Sequence, residues 1–322
     1  MRKLTIIALM VALVFALTGA GLVAQQKSVV VGNKNFTEEY VVGQLMKQIL
    51  EDRGFHVKLV SDLSTMSLRE GMVNGDIDIC ADYTGTAWMV HLGRKYLPGI
   101  NNVDLYYLVK EYEARENNFI WLNPMWNNNT YALASWPEYA QKHNLKTLSD
   151  LAAWYNKNDG KIKTFIDFEF STRPDGLPAL EKYYGFHVDE NYLKTGAPGA
   201  SLLALENHDV DVAMVFGTDA PIAKNGWHVY IDDKSFFPPY DLTPYVRRDI
   251  LDKYPEIADI LNELVASFPC GGEFSTDPAK MGECVAQGQQ AWQQLNKRVD
   301  IDKLEPDEVA HEYLVKHGLI GG

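Results

Sequence analysis

Asn74-Gly75-Asp76-Ile77-Asp78-Ile79 returns further along the chain as Asn207-His208-Asp209-Val210-Asp211-Val212. Each copy closes a helical stretch, turns sharply and enters an apolar run of strand character, and the Asn, Gly and Asp side chains suit the reversal. Nine residues after each asparagine stands an aromatic side chain, Tyr83 in the first copy and Phe216 in the second. Thr84-Gly85-Thr86 and Gly217-Thr218 follow them. The repeat predicts two similar lobes that present equivalent strand ends. Asp76 with Asp78, and Asp209 with Asp211, are read as turn and strand-edge residues rather than as a catalytic carboxylate pair.

Outward from the first copy, short β-branched runs alternate with helical ones. Ser28 to Gly32 reads as a strand, Phe36 to Arg53 as a helix, His56 to Ser61 as a strand, Ser67 to Asn74 as a helix, and Ile77 to Ala81 as a strand. This is α/β patterning. Asn35 with Glu38, and Ser67 with Glu70, have the spacing of helix-capping pairs. In open α/β sheets ligands collect where helix N-termini meet the carboxyl ends of strands. Pro124 to Asn129 and Phe236-Phe237-Pro238-Pro239-Tyr240 are the candidate crossovers. They divide the chain into lobe one, residues 25–130 with 240–322, and lobe two, residues 131–239. After Tyr240 the sequence reads as mainly helical, from Pro244 to Ser267, Pro278 to Lys297 and Pro306 to His317.

Arg2 and Lys3 precede an uncharged apolar run from Leu4 to Leu17, with small residues at Thr18, Gly19 and Ala20. Residues 1–24 therefore read as a secretory signal peptide, with cleavage after Ala20 or Ala24. The run is shorter than the roughly 20 residues of a spanning helix. No cysteine follows closely to accept a lipid, so the expected location is the periplasm. Loss of Arg2 and Lys3 takes the formal charge from -13 to -15, which disfavours nucleic acid and anionic membrane as partners. Cys270 and Cys284 flank a Gly-rich loop and are candidates for a disulfide, a bond suited to an exported chain. Cys80 lies in an apolar strand and reads as a small buried hydrophobe.

Gly32-Asn-Lys-Asn-Phe-Thr-Glu38, Asp82-Tyr-Thr-Gly-Thr86 and Phe237-Pro-Pro-Tyr240 together resemble the glycine betaine, choline and carnitine binding proteins of osmoprotectant ABC importers. The resemblance runs from about Val29 to Leu319. It implies a two-lobed periplasmic binding protein fold of type II, two α/β lobes joined by two crossovers with the ligand in the cleft, and no catalysis. Carried over to this chain, the family's aromatic box falls on Tyr83, Tyr131, Phe216 and Tyr240. Relatives commonly carry tyrosine where Phe216 stands. The carboxylate clamp falls on Lys34, Thr86 and Arg173, the last within Ser171-Thr-Arg-Pro-Asp-Gly176. Trp88 and Trp126 lie near these segments, and nothing in the sequence ranks them above packing.

The implied partners are a betaine-type small molecule, glycine betaine or proline betaine first and choline or carnitine as alternatives, and an inner-membrane ABC permease met transiently by a monomer. A ligand-sensing module is the other binding role. No cofactor and no metal are expected. His311-Glu312 with His317 lacks the His-Glu-x-x-His spacing of a zinc protease, and no nucleophile and base pair or nucleotide loop is present.

Overall fold

The computed structural model describes residues 26–321. The signal peptide expected over residues 1–24 lies outside the described residues. Two five-stranded sheets carry the fold. The first contains β1 (Lys27–Lys34), β2 (Phe55–Leu63), β3 (Ile79–Tyr83), β4 (Phe119–Trp121) and β10 (Leu242–Arg247), in the order β2-β1-β3-β10-β4. The second contains β5 (Tyr131–Ser135), β6 (Thr164–Asp167), β7 (Leu193–Gly196), β8 (Val212–Phe216) and β9 (His228–Val229), in the order β7-β6-β8-β5-β9. In each, one antiparallel strand, β10 or β5, pairs with the strand that ends at Tyr83 or Phe216.

The repeated sequence is a repeated structure down to single hydrogen bonds. Gly75 and His208 both turn the chain through the left-handed region, at φ 82° and 59°. Glycine does so freely, and a Cβ there would run into the Arg247 guanidinium at 2.4 Å. Asp78 then accepts from the Val30 amide and donates its own amide to the Val30 carbonyl, while Asp211 does the same with Lys163. These aspartates hold β3 on β1 and β8 on β6, a structural use that agrees with their strand-edge reading.

Several boundaries differ from the sequence reading. The helix expected from Phe36 runs over Thr37–Asp52, and Phe36 precedes it with no side-chain cap bond, so Asn35 does not cap it. The helix expected from Ser67 runs over Thr65–Asn74 and is capped by Ser64, whose hydroxyl accepts from the Ser67 amide. The larger difference is at Pro244, where the expected helix is preceded by β10, and helices follow only over Arg248–Lys253 and Glu256–Ala266. Both faces of β10 are buried: Leu242 and Val246 enter the main core, while Tyr245 enters a second cluster and stacks on Trp121 at 5.0 Å. A strand covered on both sides carries a near-continuous apolar run, which hides its two-residue period.

The two crossovers run side by side. The Asn129 amide donates to the Tyr240 carbonyl and the Met125 amide to the Leu242 carbonyl, and the side chains of Asn127 and Asn128 accept from Leu242 and Tyr240. This pairing satisfies the polar backbone of the link. The helix Pro278–Asp300 leans over both lobes, with Gln293 and Asn296 donating to the carbonyls of Gly217 and Thr218. Cys270 and Cys284 are bonded and tie the loop before this helix to its first turns. Cys80 is buried in β3. Among the described residues no helix is long and apolar enough to cross a membrane.

Candidate ligand chamber

The carboxyl ends of β1, β3, β6 and β8 meet the crossovers around a small enclosed chamber. Lys34 ends β1, Tyr83 ends β3, Phe216 ends β8, and Tyr131 begins β5 beside Phe216. Tyr240 arrives from the second crossover. Its ring lies against the turn after Tyr83, where a Cβ on Gly85 would come within 2.7 Å of it. All seven residues named from the sequence, Tyr83, Tyr131, Phe216 and Tyr240 with Lys34, Thr86 and Arg173, line this one chamber. Its volume of about 30 Å³ is of the order of one or two waters.

The rings form a connected group. Tyr131 packs against Phe216 at 5.0 Å and edge-on to Tyr240 at 5.8 Å. Phe36 stacks on Phe216 at 5.3 Å and on Tyr83 at 6.2 Å, adding a fifth ring that the sequence reading left out. Its signal was available, since it stands two residues after Lys34 in the first quoted motif. Trp88 and Trp126 do not line the chamber. Each is buried with its indole N–H on a backbone carbonyl, that of Lys95 for Trp88 and that of Glu273 for Trp126.

Hydroxyls distinguish the walls. Tyr83 donates to Glu38 at 2.8 Å, and Glu38 also accepts from Asn127 and Asn129. Burial nevertheless raises the Glu38 pKa against these donors. Tyr240 donates to Asp175 at 2.5 Å. Phe216 has no such tie. It is held by its neighbours' rings and by its backbone amide on Asp219.

The basic residues are already engaged, which alters the expected clamp. Lys34 donates to Asp82 at 2.6 Å and lies 4.9 Å above the Tyr83 ring. Burial opposes its charge, but Asp82 and Glu39 outweigh it and raise the Lys34 pKa. Burial likewise opposes the Asp82 carboxylate, yet Lys34 and His91 hold it well below the usual range. Glu39 is the loser: burial pushes it up to about 8. Arg173 gives its Nε and one Nη to Asp175, both at 2.8 Å, and the same Nη reaches Thr86 of the other lobe at 3.2 Å. The planar fork expected for a ligand carboxylate is therefore taken by Asp175. What remains on Arg173 is Nη1, 3.7 Å from Glu169. Lys34 keeps ammonium protons beyond the one on Asp82, and the Thr86 hydroxyl, accepting from Arg173, keeps its own proton to donate.

Two acidic residues were also missed. Glu169 of lobe two accepts from both the amide and the hydroxyl of Thr65 in lobe one, at 2.9 and 2.7 Å, and so bridges the cleft. Asp167 ends β6, and burial pushes it up to about 6. Both flank the quoted Arg173 motif, but their roles depend on a partner lobe that local sequence does not specify. Among the described residues no group of three or more His, Cys, Asp or Glu is arranged to hold a metal ion.

Residues 27–269 match the substrate binding domain of the ABC-type glycine betaine transport system. A glycine-betaine-binding protein of Pseudomonas aeruginosa is 31% identical over 311 residues, covering 94% of this chain and 92% of that protein. An ergothioneine transport permease/ergothioneine binding protein of Helicobacter pylori is 32% identical over 297 residues, 92% of this chain but 48% of that longer protein. Among solved structures, a glycine betaine/carnitine/choline ABC transporter protein aligns with a TM-score of 0.66 at 26% identity, over 90% of this chain and 99% of that one.

Proposed function

Because this chain belongs to the family of substrate binding domains of ABC-type glycine betaine transport systems, we propose that it captures a quaternary-ammonium zwitterion outside the cytoplasm, glycine betaine or proline betaine first. It is a solute-binding protein, not an enzyme. In this reading it acts as an exported monomer that hands its ligand transiently to an inner-membrane ABC permease, for osmoprotection. The observation that carries the proposal is the convergence of four rings and three donors, from both lobes, on one chamber.

The chemistry follows from the ligand's two ends. A trimethylammonium group is charged but has no N–H, so ring faces suit it better than carboxylates that seek a hydrogen bond. Each face supplies about 0.5–2 kcal/mol when water is excluded. The carboxylate end takes the protons left on Lys34, Thr86 and Arg173 Nη1. Since Lys34 and Thr86 belong to lobe one and Arg173 to lobe two, a ligand held by all three favours the closed form. The closed form is then what the permease receives.

A second reading, choline, is favoured by one observation. Asp82 and Asp175 balance Lys34 and Arg173, leaving Glu169, together with Asp167, as surplus carboxylate at the chamber wall. A ligand with a cation and no carboxylate would gain from it. Carnitine remains a third possibility of the same class, and a sensor would use the same chamber with a receptor in place of a permease. Thermal-shift measurements with glycine betaine, proline betaine, choline, carnitine and proline separate these. The account expects the betaines to raise the melting temperature most, because a ligand bound only by the folded state stabilises it. Choline ranking first moves the assignment to the second reading, and no response to any quaternary amine defeats both.

A further inference from the structure

Asp82 divides its carboxylate unequally. Oδ1 accepts from the Lys34 ammonium at 2.6 Å and from the Tyr83 amide at 2.7 Å. Oδ2 accepts from His91 Nε2 at 2.9 Å and, among the described residues, from nothing else. The His91 side chain is fully buried, and neither it nor Asp82 lines the chamber. One wide turn of π-helix over Ala87–His91, with the Leu92 amide on the Ala87 carbonyl, brings the imidazole back to Asp82. Such turns are rare and gather at functional sites. Here the bond joins the two ends of the segment that carries Tyr83 and Thr86, both chamber residues. Asp82 stays ionised despite its burial, so Nε2 is the donor. Nδ1 is left buried with no hydrogen-bond partner among the described residues, a cost that packing alone does not call for.

We infer that His91 is a positioning residue for ligand selection: by satisfying Asp82 Oδ2 it leaves Lys34 protons free for a ligand carboxylate, and so favours zwitterions over cations that lack one. This rests on the binding function proposed above and deepens it. Without His91, Oδ2 becomes a buried anionic oxygen with no donor, and the ammonium already on Oδ1 is the donor at hand. A second Lys34 proton then turns to Asp82 and away from the chamber. Glu39, a further carboxyl 3.9 Å from the ammonium, is pushed up to about 8 by burial and competes for those protons only weakly. His91 itself touches no ligand. Its effect passes through Asp82 to Lys34 and falls on the carboxylate end.

Calorimetry on the full mature chain tests this with glycine betaine, which has the carboxylate, and choline, which lacks it. Choline too weak for direct titration is read by its competition against glycine betaine. His91→Leu removes the donor, while His91→Gln keeps an amide N–H at a reach close to that of Nε2. His91→Leu should lower the ratio of glycine betaine to choline affinity by about tenfold or more, the scale of one hydrogen bond to a charged group. His91→Gln should recover most of that ratio. A merely structural role would weaken both ligands alike. A ratio unchanged in His91→Leu, or lost as fully in His91→Gln, overturns the inference. NMR of the His91 Nε2 proton in wild type decides the matter where the variants fail to fold. Glycine betaine should shift that proton downfield, because Lys34 turns toward the ligand and Asp82 draws harder on His91, and choline should move it less. An equal response to the two ligands, or none, overturns the inference as well. Failure of every quaternary amine to bind wild type is a distinct result, which defeats the underlying binding function and the role of His91 with it.

Discussion

Both lobes set a basic side chain against an aspartate and over a tyrosine ring, but only one of the two arrangements has partners across the cleft. In lobe one Lys34 binds Asp82 over Tyr83, and Asp82 also takes the Tyr83 amide and faces His91. Every partner belongs to the same lobe. In lobe two Arg173 binds Asp175 over Tyr131, and from there it reaches Thr86 of lobe one while Asp175 takes the hydroxyl of Tyr240 in the crossover. One arrangement is complete before the lobes meet, and the other gains a partner when they do. The first should act mainly on stability and the second mainly on closure and affinity.

Substitutions at the two sites can break that division. Lys34→Met leaves Asp82 buried without its cation and should cost about 3–5 kcal/mol of stability, read as a large fall in melting temperature without ligand. Arg173→Ala should lower betaine affinity on the order of 100-fold by calorimetry, with Arg173→Lys recovering only part because its point charge cannot serve Asp175 and Thr86 together. Thr86→Val is the sharper test of the cross-cleft bond: about tenfold weaker betaine binding with an unchanged melting temperature in the absence of ligand. A melting temperature that falls as far for Thr86→Val as for Lys34→Met would erase the distinction.

A pH experiment on one buried carboxyl addresses lobe one. Glu39, pushed up to about 8, holds its proton in the folded state across a range where an exposed glutamate has lost it. The folded state therefore binds more protons than the unfolded one from roughly pH 4.3 up to about 8. Stability contributed by this group is full below that window and declines as pH rises through it. Glu39→Gln should flatten the decline in denaturant midpoints measured between pH 5 and 8. An unaltered slope would place the dependence elsewhere. The smallest expected effect belongs to Phe216→Tyr, which adds a hydroxyl to the wall that lacks one and should reorder a panel of quaternary amines without changing stability by more than a few tenths of a kcal/mol.

The parts of this arrangement that could be read from sequence are those set by short-range constraints. The Asn-x-Asp turn, the strand behind it and the ring at its end lie within ten residues, so the repeat at Asn74 and Asn207 foretells two similar lobes. Phe36 was within reach too, but an aromatic residue just before a helix is equally a packing residue, and only its stacking on the other lobe's Phe216 gives it a place in the chamber. Asp82 and Asp175 stood inside quoted motifs, yet which charge they neutralise depends on β1 beside β3 and on the fold of the Arg173 loop. The strand β10 was hidden because burial on both faces removed its alternation. Opposite charges at equivalent strand ends, Lys34 on β1 and Asp167 on β6, likewise emerge only when the two sheets are set side by side.

The central claim, that rings from both lobes enclose a trimethylammonium group, is tested most directly by titrating glycine betaine into wild type and Tyr131→Ala in the calorimeter. The account predicts saturable binding to wild type that weakens by about tenfold or more in the variant, since Tyr131 alone contacts Phe216, Tyr240 and the Arg173 guanidinium. Equal affinity in the two proteins, with both folded, would contradict it.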